Sequence, residues 1–224
     1  MYYARLATFG PNLAHMSATR TLLFDLGGVL IDWNPRYVYR AHFDDDEKME
    51  WFLANITDPD WNENQDAGYS LHAATEEKVK EFPDWETEIR MYYGDWEAML
   101  GGPIEDMVSL FRELRAESVQ PIYALTNWSA ETFPVALERY GFLHDFDGIV
   151  VSGVEKMRKP DPKFYQLALD RYDLQAENVV FIDDNLRNIE AARAMGITGI
   201  HHTDFTKTRR ALEDLGFLGG EGLA

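Results

Sequence analysis

The sequence contains no cysteine. That excludes a disulfide framework, a thiolate metal site and a cysteine nucleophile together, and it fits a cytoplasmic protein. No apolar run approaches the roughly 18 residues that suggest a membrane span. The first twenty residues, MYYARLATFGPNLAHMSATR, lack the basic start and unbroken apolar stretch of a secretory leader. They also lack a strong period, so residues 1–19 read as a loose N-terminal extension. Positive charge is scarce: 21 Lys and Arg stand against 39 Asp and Glu, a formal net charge of −18. Such a chain repels nucleic acid and anionic lipid unless it carries a compact basic patch, and its densest basic pair is only Arg209–Arg210. Neither nucleic acid nor a membrane is expected as a partner. Internal repeats and low-complexity runs are lacking as well.

What is present is an ordinary globular composition, 46% hydrophobic over 224 residues, enough for a core domain with an insert. Five short apolar runs read as buried strands: Thr21–Leu26, Pro121–Leu125, Gly148–Val151, Asn178–Ile182 and Thr198–His201. Helical spacing appears between them, as in Ile104, Met107, Val108, Phe111 and Leu114, or Phe164, Leu167, Ala168 and Tyr172. Strand and helix in alternation predict an α/β fold, a Rossmann-like three-layer arrangement around a parallel sheet. The gap between the first two strands is far longer than one crossover needs. It holds four of the six tryptophans, Trp51, Trp61, Trp85 and Trp96, with Trp33 at its entrance. Helices are expected over Pro35–Phe43, Asp46–Ile56, Ser70–Glu81 and Asp84–Leu100, with Gly101–Gly102–Pro103 ending the last. The expected division is therefore a core of residues 20–32 and 103–224 and an inserted all-helical cap domain of residues 33–102. The tail from Gly219 reads as frayed.

In an open parallel sheet, ligands bind beyond the carboxyl ends of the strands. The first strand ends in Asp25, followed by Leu26, Gly27 and Gly28, whose backbone can curl its amides toward an anion. The second ends in Thr126 and Asn127, donors suited to a phosphate oxygen or to a helix cap. After the third comes Arg158–Lys159–Pro160–Asp161–Pro162, in which prolines flank Asp161 and Lys159 offers a cation. The fourth ends in Asp183–Asp184–Asn185, with Asn188 one turn on. Two adjacent acids at the end of a buried strand repel unless a cation or donors sit nearby, and oxygen-only ligands suit magnesium.

A carboxylate, a hydroxyl, a lysine and an acid pair, in that order, resemble the four-motif signature of the haloacid dehalogenase superfamily. The resemblance covers about Thr21–Ile31 and Glu105–Gly216, and the long insert is similar to that family's helical cap. Phe24–Leu30, Arg158–Lys159–Pro160 and Phe181–Asn185 look closest to its alpha-D-glucose-1-phosphate phosphatase-like branch. The resemblance implies a hydrolase that requires Mg2+ and forms an aspartyl-phosphate on Asp25. It implies metal ligation by Asp25, the Gly27 carbonyl and Asp184, with Asp183 in or just behind the ligand shell. It further implies that Thr126, Lys159 and the amides of Leu26 and Gly27 bind the transferring group, with Asn127 and Asn188 near it. The expected substrate is a small phosphorylated metabolite of the sugar-phosphate class. Both nucleophile and substrate are anions, so metal, Lys159 and loop amides have repulsion to offset.

One position departs from the pattern. Most phosphatases of the superfamily carry a proton-donating Asp two residues after the nucleophile, where this chain has Gly27; the glucose-1-phosphatase-like relatives share the glycine. A cap acid in the polar stretch Trp61–Gly68, Asp66 or Glu63, is one replacement. A second reading removes the need for an acid: as a 2-haloacid dehalogenase the enzyme would expel halide, with Arg36 or Arg40 for the substrate carboxylate. Against it, haloacid dehalogenases are metal-independent and lack the acid pair. A third reading is a catalytically silent scaffold that binds but does not turn over. His201 and His202 point to opposite strand faces and read as structural. The tryptophans read mainly as cap core, with Trp33 and Trp61 as candidates for substrate contact.

Overall fold

The computed structural model describes residues 20–117 and 120–219; the extension read over residues 1–19 and the last five residues lie outside them. Seven strands occur among the described residues: β1 (Thr21–Phe24), β2 (Ile31–Trp33), β3 (Leu100–Pro103), β4 (Ile122–Thr126), β5 (Gly148–Val151), β6 (Val179–Asp183) and β7 (Thr198–His201). Five form one sheet in the order β5-β4-β1-β6-β7, every neighbouring pair parallel. The expected α/β class holds, and the expected strands shift at their ends by no more than two residues. β1 sits where the order reverses, with β4 on one side and β6 on the other, which places Asp25 at the crevice where such sheets bind ligands.

The pleat explains why these runs carry no polar alternation. Leu22 and Phe24 of β1 face one apolar layer with Phe111 and Phe146, while Leu23 faces the other with Phe164 and Phe181. Both faces are covered, so successive side chains are all apolar. On the first face, helix Glu105–Glu117 buries Met107, Val108, Leu110, Phe111 and Leu114, a helical-period stripe. The Phe111 ring stacks on Phe146 with centroids 4.4 Å apart, and Phe24 meets Phe111 edge-on at 6.0 Å.

Between β2 and β3 the chain is helical: Arg36–Tyr39, Asp46–Asn55, Pro59–Asp66, Leu71–Glu81 and Glu86–Gly94, with a short 3-10 turn at Trp96–Met99. Three expectations need correction. Gly101–Gly102–Pro103 is not a helix end but β3, which pairs antiparallel with β2. The insert therefore leaves and re-enters the core through a two-stranded ribbon, and Pro103 closes that ribbon rather than opening the helix that starts at Glu105. The expected helix Asp84–Leu100 stops at Gly94. The polar stretch Trp61–Gly68, where no helix is expected, overlaps helix Pro59–Asp66, started by Asp58, whose carboxylate accepts from Trp61 N at 3.1 Å, with Pro59 at the first turn. Ser70 caps its helix as expected, accepting from Ala73 N at 3.3 Å. Tyr39, Phe52 and Trp85 form the centre of the insert, with Tyr39–Phe52 and Phe52–Trp85 centroids 5.1 and 5.3 Å apart. Among the described residues, no helix is long and apolar enough to cross a membrane.

Phe111 is buried against two other rings and has no space to collapse into, so Phe111→Ala is expected to cost about 3–5 kcal/mol. Urea unfolding checks this: the midpoint should fall with the slope unchanged.

Candidate active site

Asp25 follows β1 directly, and its backbone N–H donates to Ile182 O at 2.8 Å, which seats it against β6. Its Oδ1 accepts from Leu26 N at 2.8 Å and faces Lys159 Nζ at 2.9 Å. Lys159 is fully buried, and its Nζ reaches Asp183 Oδ2 at 2.7 Å. One ammonium thus bridges the ends of two strands. Its own backbone is clamped by Asn127, whose Nδ2 donates to Lys159 O at 3.0 Å and whose Oδ1 accepts from Lys159 N at 2.8 Å. Asn127 is therefore a positioning residue for the lysine.

Asp183 is saturated. Besides Lys159, it accepts from Asn185 N at 2.7 Å and from Asn188 Nδ2 at 3.1 Å on both oxygens. Tyr165 in turn donates to Asn188 O at 2.8 Å. Asp184 is exposed and lies against Gly28. Oxygens of Asp25, Asp183 and Asp184 all lie within 4.8 Å of one another, a group able to hold a metal ion. Gly28, at φ +72°, makes this approach possible: a Cβ there would lie 2.2 Å from Asp184 Oδ2. At Gly27, by contrast, a Cβ would meet nothing within 4 Å, so the missing side chain leaves open room.

Three carboxylates share one ammonium, and the charges respond accordingly. Burial pushes the Asp25 carboxyl up from 3.8 to about 8; Lys159 opposes the shift, and Asp183 and Asp184 add to it. Burial alone would pull the Lys159 ammonium down, but Asp183 and Asp25 beside it outweigh that and raise it, so it stays charged. Desolvation and then Asp183 raise the Asp184 carboxyl. Thr126 ends β4 fully buried, and its Oγ1 has no hydrogen-bond partner among the described residues; the same is true of Asn188 Oδ1. An orphaned buried hydroxyl costs about 1–3 kcal/mol, which a bound anion would recover.

The site opens into a cavity of about 260 Å3 whose lining includes Asp25, Gly27, Gly28, Asn127, Asp184 and Asn188. The insert supplies Asn62, Glu63, Asp66, Tyr93 and Trp96, and the core adds Trp128, Ser129 and Thr132. Glu63 pairs with Arg158 and Arg187 across the boundary, and Ser152 donates from the core to the Asp66 carbonyl. Asp66 Oδ2 accepts from Asn62 Nδ2 at 3.1 Å; desolvation raises its carboxyl to about 7, against a backbone hydrogen bond at Ser129. Of the two tryptophans singled out from the sequence, Trp33 lines the cavity, whereas Trp61 packs on Tyr92 and Tyr93, 5.1 and 5.3 Å away. Trp96 and Trp128, which meet edge-on at 5.8 Å, take the role expected of Trp61. Arg36 is paired with Glu50, and no arginine lines this cavity among the described residues, which leaves a haloacid carboxylate without the cation expected for it. His201 meets the Asp184 carbonyl at 3.0 Å and His202 the Thr208 hydroxyl at 2.7 Å; both are structural.

The sequence profile of the haloacid dehalogenase-like hydrolases matches residues 19–196. The chain belongs to this family. It is 33% identical over 202 residues to the sesquiterpene phosphatase astK of Aspergillus oryzae, covering 88% of this chain and 96% of that protein. A haloacid dehalogenase-family enzyme of Bacteroides thetaiotaomicron, solved as a magnesium complex, superposes with a TM-score of 0.64 at 18% identity, over 83% of this chain and 93% of the other. The L-2-haloacid dehalogenase of Xanthobacter autotrophicus, with chloropropionic acid covalently bound, superposes at 0.59 and 15% identity, over 89% and 84%. These two likenesses concern the fold alone, so the choice among hydrolase chemistries rests on side chains and on the full-length phosphatase relative.

The raised Asp25 carboxyl makes a stability prediction for this haloacid dehalogenase-like hydrolase. A carboxyl easier to protonate folded than unfolded stabilises the fold below about pH 4 and loses that contribution as pH rises to about 8. In chelator, Asp25→Asn is therefore expected to melt above the parent protein at pH 8.5. Each kcal/mol relieved should be worth about 2–4 °C, and the gap should close toward pH 4. Melting curves across this range check it; a gap independent of pH would contradict the assignment.

Proposed function

We propose that this hydrolase is a magnesium-dependent phosphomonoesterase in which Asp25 is the nucleophile. The observation that carries the reading is the Asp25–Lys159–Asp183 bridge beside Asp184: a buried carboxylate held against a fixed cation, with a second acid free to hold metal. The full-length relationship to a phosphatase supports it. The donor set fits magnesium, being all oxygen and carrying an uncompensated negative charge. Asp25, Asp184 and the Gly27 carbonyl would hold the ion, with Asp183 behind them orienting Lys159. When bound, magnesium supplies charge that offsets the repulsion between carboxylate and phosphate.

The chain's own residues do the rest. Asp25 attacks phosphorus, the ester P–O bond breaks, and the group becomes an aspartyl-phosphate. Lys159 and the unpartnered Thr126 hydroxyl donate to the phosphoryl oxygens, with the Gly27 amide beside them. Leu26 N, which now donates to Asp25, keeps the attacking carboxylate oriented. Asp66 is the proton donor that Gly27 cannot be: it lines the same cavity, and desolvation keeps it protonated up to about pH 7. Its neighbours there are neutral, namely Asn62, Ser129, Tyr92 and Tyr93. Glu63, the other acid considered, is committed to two arginines. Asp66 protonates the departing alkoxide, then takes a proton from the water that attacks the acyl phosphate, releasing phosphate and restoring Asp25. The substrate is a small phosphorylated metabolite. Asn62, Ser129 and Thr132 support the sugar-phosphate class, and the aromatic walls and the sesquiterpene phosphatase relative support an apolar alcohol.

Phosphate release from a panel of sugar and alkyl monophosphates is expected to need magnesium and to vanish in Asp25→Asn. Release that survives chelator or the mutation would overturn the reading. Asp66→Asn is expected to lower turnover of alkyl phosphates by about 10²–10⁴-fold and to spare nitrophenyl phosphate, whose leaving group needs no proton. In the parent protein, turnover of alkyl phosphates should fall above about pH 7, as Asp66 loses its proton. Because Gly27 has room for a side chain, Gly27→Asp should restore part of the alkyl phosphate activity lost in Asp66→Asn.

A further inference from the structure

A second cavity, of about 400 Å3, lies within the insert on the other side of Trp33, Asn62 and Glu63, which line both cavities. Its remaining walls come mainly from Pro35, Leu53, Ala54, Thr57, Pro59 and Tyr92. Two features set its chemistry. First, its charges are cancelled: Arg36 pairs with Glu50, and Glu63 with Arg158 and Arg187. Among the described residues, no unpaired cation lines it for a second phosphate. Second, its polar groups are few, and one of them, the buried Thr57 hydroxyl, has no partner among the described residues. The partition is uneven. Asn62 is held by the Tyr93 hydroxyl at 3.1 Å and by Asp66, and Glu63 by its arginines. The Trp33 side chain has no hydrogen bond or ion pair among the described residues; its ring packs against the main apolar cluster and forms the apolar part of the partition.

We infer that this second cavity is the subsite for the hydrocarbon part of the substrate. The reaction is then hydrolysis of a long apolar alcohol's monophosphate to the free alcohol and phosphate. The inference rests on the phosphatase reading for its chemistry. The phosphate sits at Asp25, the first carbons pass the Trp33, Trp96 and Trp128 rings, and the chain runs beside Trp33 into the insert. A sugar phosphate would fill the first cavity alone and leave the apolar walls of the second uncovered.

The test is a series of linear alkyl monophosphates from ethyl to dodecyl, together with farnesyl monophosphate, glucose 1-phosphate and phenyl phosphate. kcat/KM is expected to rise with chain length, up to about fourfold per CH2, the equivalent of about 0.8 kcal/mol each, and to exceed that for the sugar ester. Ala54→Trp places a large ring in the second cavity from an exposed position. It should flatten the chain-length dependence while leaving phenyl phosphate within twofold. A flat series in the parent protein, or equal loss on phenyl and dodecyl phosphate in a variant with unchanged melting, overturns the inference. If no ester is hydrolysed, the phosphatase reading fails separately. Calorimetric binding of dodecyl against ethyl phosphate to the parent and to Ala54→Trp then decides the subsite: tighter binding of the long chain, lost in the variant, upholds it, and equal binding sinks it.

Discussion

Everything at this site depends on one ammonium placed where water cannot reach it. Lys159 is fully buried, and burial alone would strip its charge; the carboxylates at the ends of β1 and β6 prevent that. The dependence is mutual. Asp25 and Asp183 could not lie so close without it, and even with it the site keeps more negative charge than it can neutralise. Removing the lysine would leave the clustered carboxylates without a counter-charge, and Asn127 and Asn188 hold Lys159 and Asp183 in place. On the proposed reading the excess charge is the functional part, since it would make a bound divalent cation favourable.

The sequence made the core legible because the core obeys local rules. Strands buried on both faces must be short unbroken apolar runs, and residues at their carboxyl ends face the crevice, so Asp25, Thr126 and Asp183–Asp184 could be located by counting, whereas Lys159 lies beyond a short helix that follows β5. The roles within that set were less legible. Nothing in the order of residues says that Asn127 turns toward the lysine backbone rather than the crevice, or that Asp183 has every acceptor filled while Asp184 stays open. Those facts depend on where one loop lies relative to another. A periodic pattern carries no information about that.

The insert was less legible, for a different reason. Helix Pro59–Asp66 buries little; of its eight residues only Gln65 is buried, so no apolar stripe announces it. Its signature was at its start instead, in the Asp58–Pro59 pair, and that cue places Asn62 and Asp66 four residues apart on one helical face. The ribbon β2–β3 was hidden because glycine and proline, which usually break helices, here end an extended segment. The tryptophans were split between two tasks by position alone. Trp85 centres the insert's own core, whereas Trp33 and Trp96 sit where the insert meets the core and so become walls of the cavity.

On the proposed mechanism, this division of labour accounts for the glycine at position 27. If the proton donor stood there, it would belong to the core and act on every phosphate that reached Asp25. With the donor on the insert, its use depends on the insert lying closed over the crevice. The contacts that fix that closure are specific: Ser152 to the Asp66 carbonyl, Arg158 and Arg187 to Glu63, and Glu131 to Leu71 N at 2.9 Å. Gly68 adds to them, since a Cβ there would lie 2.8 Å from the Gly153 carbonyl. The helix that carries Asp66 also carries Asn62 and Glu63, two of the three side chains shared by both cavities. On the proposed reading, an ester whose alcohol fills the insert would bear on the same helix that carries Asp66. On the proposed mechanism, binding of the leaving group and its protonation would become one event, as efficient catalysis requires of contacts remote from the reacting bond.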